Sequence, residues 1–165
     1  MLSAALTRAL ITPAFLATDF VPTQRDGAEQ KAKFTNALLT FVAQDFPRSK
    51  FHESFYRRLS NTFGHIAHYD SVGFYERFFL TAEDKLAFLG QCVTWPCYGD
   101  PTFTYSDVER AVAERLRKSQ VLAILGSQIT VERRRRELAL LSELKARYEP
   151  IAEAPASAEI PDLFG

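Results

Sequence analysis

Covalent cross-links and excess charge are both scarce in this chain, and each scarcity narrows the options. Two cysteines among 165 residues make no disulfide framework. A bridge between Cys92 and Cys97 would close too short a loop to stabilise much. The expected compartment is therefore the reducing cytoplasm. Twenty Lys and Arg balance twenty Asp and Glu, so bulk charge calls for no polyanionic partner. No segment approaches the ~20 consecutive apolar residues of a membrane span, and no membrane partner is expected. The opening MLSAALTRALITPAFLA is interrupted by Arg8 and Pro13 and lacks a cationic front with a long unbroken apolar run. It reads as an amphipathic segment rather than a targeting peptide. Internal repeats, alternating strand patterns, a nucleophile elbow, a Gly-rich phosphate loop and a paired-carboxylate motif are all missing. No catalytic residue is assigned.

What is present is phenylalanine, 14 copies of it, against one Met and one Trp. The core should be layered from Phe and Leu, with aromatic rings doing most of the packing. At this length about two thirds of the unfolded surface can be buried, enough for a self-sufficient domain. Apolar spacing of threes and fours is the main signal. Phe34, Ala37, Leu38, Phe41, Val42 and Phe46 fall on one face of a helix that Pro47 should stop. Phe51, Phe55, Leu59 and Phe63 stand four apart in a second helix, for which Ser49 is the expected N-cap.

After a break from Gly64 to Gly73, GFYERFFL reads as a short aromatic helix. Thr81 starts another, with Leu86, Leu89 and Val93 inward and Pro96 at its end. Ser106 to Glu109 has the spacing of a capping box, so a helix should begin at Asp107 with Val108, Val112 and Leu116 on its core face. VLAILGSQITV is open between helix and strand. A final helix should follow Gly126 and Ser127, from Ile129 to Tyr148, with the stripe Leu138, Leu141, Leu144, Tyr148. The fold class expected is all-α: a single-domain bundle of five to seven helices. Residues 1–28 form the N-terminal segment and loop, 29–149 the helical domain, and 150–165 a flexible Ala/Pro-rich tail.

Two motifs carry potential chemistry. FGHIAHYD holds His65 and His68, and QCVTWPCY holds Cys92 and Cys97. Imidazole and thiolate are good zinc ligands, and four make a closed tetrahedral site. The alternative is catalytic, a histidine oriented by a carboxylate or a cysteine nucleophile. Against both, neither spacing is that of a two-residue zinc knuckle, and the neighbours are Phe, Tyr, Val and Trp. The four side chains read as core, with no cofactor expected and zinc as the alternative.

The last third is locally basic: Arg115, Arg117 and Lys118 on one helix, then Arg133, Arg134, Arg135 and Arg136 in succession. Four consecutive arginines fan around a helix, so at least one stem must lie near the apolar stripe. Such a surface suits an acidic protein or a phosphate backbone. Without interleaved aromatics it is not a base-stacking platform. The tail ends in Ile-Pro-Asp-Leu-Phe-Gly, where Leu163 and Phe164 can serve as anchors of a short recognition peptide. Asp162, Leu163 and Phe164 resemble the end of the peptide by which many bacterial proteins bind the replication sliding clamp. Ile160 stands where that motif prefers Gln, and Pro161 where it prefers Leu.

Residues 59–79, LSNTFGHIAHYDSVGFYERFF, resemble a stretch of small accessory proteins carried by bacterial plasmids and integrative elements. That resemblance implies a mobile-element setting and names no catalytic residue. The function expected is that of an interaction protein with a protein partner, nucleic acid being the alternative.

Overall fold

The computed structural model describes residues 2–67, 70–94 and 99–149. Among them the chain forms seven α-helices and no strand: α1 Ala4–Ile11, α2 Ala28–Ala43, α3 Glu53–Thr62, α4 Ser71–Phe78, α5 Ala82–Thr94, α6 Ser106–Ser119 and α7 Val121–Tyr148, with 3-10 turns at Ala17–Asp19 and Arg48–Lys50. The segment open between helix and strand is helix. The chain divides into two compact units, residues 1–129 and 130–165, and α7 runs through the division.

Unit one is built as the Phe count implies. α2 buries Phe34, Leu38, Phe41 and Val42; α6 buries Val108, Val112 and Leu116. The rings of Phe41, Phe46, Phe51, Phe74, Phe79 and Phe88 meet one another at centroid distances between 5.0 and 6.4 Å, mostly edge to face. That arrangement suits the ring quadrupoles. α1 belongs to this body: Ser3 caps it by accepting from the Leu6 amide at 3.2 Å, Leu6 and Leu10 are buried, and it packs against α2 and α6.

Several local expectations are corrected. α2 ends at Ala43, ahead of Pro47. Asp45 and Phe46 then take left-handed backbone (φ 63° and 57°), and the Phe46 amide reaches back to the Phe41 carbonyl at 2.9 Å. Left-handed backbone costs a non-glycine residue roughly 1–2 kcal/mol. Burying the Phe46 ring, stacked 5.0 Å from Phe79, offsets that cost. The Tyr75 hydroxyl donates to the Phe46 carbonyl at 2.7 Å.

Ser49 does not cap α3, because it lies inside the 3-10 turn that swings Phe51 into the rings. His52 is the cap, its Nδ1 accepting from the Phe55 amide at 3.2 Å. On α5 the buried face is Phe88, Leu89 and Cys92, while Leu86 and Val93 are half-buried. The helix is turned so that Phe88 joins the ring cluster.

The capping box at Ser106 does not form. Helix α6 starts at Ser106 itself, whose hydroxyl donates to the Gly99 carbonyl at 2.6 Å, and Glu109 is buried. Gly126 and Ser127 do not interrupt α7. A single interior glycine costs about 1 kcal/mol against alanine, too little to break a helix of this length.

Candidate interaction surface

Residues 130–149 differ from everything before them in that every one is exposed. Val131, Leu138, Leu140, Leu141, Leu144 and Tyr148 are 40 to 72 % accessible although all are large apolar side chains. Arg133 to Arg136 stand on the same helix, fanned at about 100° steps, and are exposed. Near the C-terminus Arg147 pairs with Glu143 at 3.1 Å, one turn back. Large apolar side chains and a dense cationic run are thus exposed together on one helix segment. The same spacing in a packed helix would mark core.

The basic residues of α6 are placed differently. Arg115 donates to the carbonyls of Leu10 at 2.9 Å and Pro13 at 2.7 Å, and its guanidinium lies 4.5 Å over the Phe15 ring. Arg117 donates to the Val93 carbonyl. Both guanidinia tie segments of the body together, and Arg117 and Lys118 are exposed. The structure thus separates by role what the sequence presents as one basic stretch.

Of the histidine and cysteine set, His65 is exposed, its ring 6.3 Å from that of Phe63, and Cys92 is buried. Burial, with the Glu109 carboxylate nearby, pushes the Cys92 thiol well up, so it stays protonated and packs as a small apolar group. His68 and Cys97 lie outside the described residues, as do Asp162, Leu163 and Phe164. Among the described residues no three His, Cys, Asp or Glu side chains gather where they could hold a metal ion.

Sequence reasoning passed over one site in the body. Lys31 is fully buried. Its ammonium donates to the Pro101 carbonyl at 2.9 Å, the Thr104 carbonyl at 3.1 Å and both oxygens of Asp107 at 2.9 and 3.1 Å. Asp107 also accepts from the Val21 amide at 2.9 Å. This knot joins α2, the 99–105 loop, the start of α6 and the chain after the first 3-10 turn. The signal was its position: Lys31 falls on the Phe34, Leu38 face of α2, where a solvent-facing lysine does not belong.

Beside it the Tyr105 hydroxyl donates to Asp26. Burial and that carboxylate push the phenol up to about 12, so it holds its proton and serves as a donor. These groups line a cavity of about 630 Å³ with Arg25, Arg57, Asn61 and Phe103. Among the described residues no helix is long and apolar enough to cross a membrane. The chain matches no family model, no curated protein and no solved structure.

Proposed function

We propose that this chain is an interaction protein of a bacterial mobile element, working in the cytoplasm by binding a protein or nucleoprotein partner. Its primary contact is the α7 segment 130–148, where Arg133 to Arg136 engage acidic groups. Residues 160–165, with the anchors Leu163 and Phe164, are a second contact of the short-peptide kind. Two weak contacts on one chain gain affinity through effective concentration. The observation that carries this reading is the exposure of every residue from 130 to 149, apolar and cationic alike.

The same exposed arginines favour nucleic acid as the second reading, since guanidinium groups neutralise phosphates with release of counterions. Partner recovery from bacterial extract distinguishes the two, comparing the full chain with R133Q/R134Q/R135Q/R136Q and with a chain ending at residue 149. Loss of specific proteins with the quadruple variant, unchanged by nuclease treatment, supports the protein reading. Loss abolished by nuclease, with steep salt dependence, moves the assignment to nucleic acid. Equal recovery by all three chains overturns the proposal.

A further inference from the structure

We propose that the apolar face of residues 130–148 pairs with the same face of a second copy of this chain, antiparallel and centred on Leu141. The inference rests on reading that segment as a contact element and names what covers its apolar side.

At about 100° per residue, the residues seven before and seven after Leu141, Arg134 and Tyr148, lie close to its own line along the helix. Leu138 and Leu144 flank that line three residues to either side, and Glu137 and Lys145 flank it four residues to either side. Leucine therefore stands three residues to either side of Leu141, and opposite charges stand four residues to either side. An isologous two-fold contact sets residue i against j and j against i, and this spacing supplies such pairs.

In an antiparallel pair, residues equally far from Leu141 stand at the same level. Leu141 meets Leu141 of the second copy, and Leu138 meets its Leu144. Glu137 faces Lys145 across the seam, and Arg134 lies beside the Tyr148 ring. Each contact between unlike positions occurs twice, and the Leu141 contact, on the two-fold axis, once. The like-charged level, Arg135 with Arg147, points about 120° away from the seam on both helices, into solvent.

Parallel, in-register pairing would instead set Arg134 against Arg134 and the whole arginine run against itself, so charge selects the antiparallel arrangement. An anionic membrane surface suits the face less well, because Glu137 lies beside the seam. The seam is short against the roughly 1,200–2,000 Å² of stable interfaces. The pair should therefore form and dissociate with concentration.

Sedimentation equilibrium of the full chain over a concentration series tests the proposal. The expected result is the mass of two chains at high concentration falling to one on dilution. Leu141→Glu, which sets two carboxylates face to face, should weaken association by roughly 100-fold. Glu137→Lys and Lys145→Glu should each weaken it, and the double variant E137K/K145E should restore it. Parallel pairing gives no such rescue.

A single-chain mass at all concentrations, or association indifferent to L141E, overturns the proposal, as does failure of the charge swap to rescue. Binding of the monomer to phosphatidylserine vesicles that L141E abolishes also overturns it and assigns the face to lipid. Pairing and the partner reading fail separately. A monomer whose partner recovery still depends on Arg133 to Arg136 refutes pairing alone, and a dimer recovering the same partners with every variant refutes the partner reading alone.

Discussion

Arg115 and Arg133 are the same residue type on consecutive helices, and in the sequence they belong to one basic stretch. In the body the guanidinium of Arg115 is bound by two carbonyls and an aromatic ring. In the segment from residue 130 the arginines are exposed, and so are the leucines. The contrast extends to lysine and tyrosine: Lys31 is fully buried and held by four oxygens, whereas Tyr148 is 72 % accessible. Polarity does not separate the two regions, since both carry apolar stripes of helical spacing. The difference is burial, present in the stripes of residues 2–129 and absent in the described residues 130–149, and this sets what each substitution should do.

The largest effect should come from Lys31. Lys31→Met removes the ammonium and leaves Asp107, whose side chain is 13 % accessible, without its main counter-charge. It also strips the donor from the Pro101 and Thr104 carbonyls. Breaking one side of a buried pair costs about 3–5 kcal/mol, a large part of the roughly 5–15 kcal/mol that holds a domain together. The urea midpoint should fall accordingly. Leu141→Ala, measured in dilute solution, should move that midpoint by no more than about 0.5 kcal/mol. Equal losses for the two variants would break the comparison, because they would make the α7 segment part of the body's cooperative unit.

A smaller effect separates the arginines. Arg115→Ala forfeits two charge-assisted bonds and the packing over Phe15, and should cost about 2 kcal/mol. Arg133→Ala should leave the melting temperature of the body unchanged. If Arg133→Ala proved as costly, the exposed run would have a structural role in folding.

These expectations also show where the sequence was readable. The helical class, and the core faces of α2 and α6, follow from strong periodicity: Phe34, Leu38, Phe41 and Val108, Val112, Leu116 are buried where their spacing puts them. Element ends were less legible, because tertiary burial of single rings decided them. Phe46 pulls the end of α2 into left-handed backbone, Phe51 turns the chain before α3, and Phe88 rotates α5. The candidate surface was half legible. Arg133 to Arg136 and the Leu138 stripe are plain in the sequence, but periodicity looks the same whether a stripe is buried or bare. Lys31 was hidden because its partners, Pro101, Thr104 and Asp107, lie about 70 residues away in the chain.

A small stabilising effect tests the continuity on which the comparison depends. Gly126 and Ser127 look like a break, and if they were one, the segment from residue 130 would be a separate short helix with no anchor. Instead α7 passes through Gly126, and a Cβ built there would meet Leu86 Cδ2 at 3.8 Å, an ordinary contact. Gly126→Ala should therefore relieve the backbone entropy that glycine loses in a helix and stabilise the chain by about 0.5–1 kcal/mol. Helical circular dichroism should be retained on further heating. A destabilising alanine would mean that the backbone at this position is not helical in solution. Residues 130–148 would then have to stand as a separate helix of 19 residues without the turns before them.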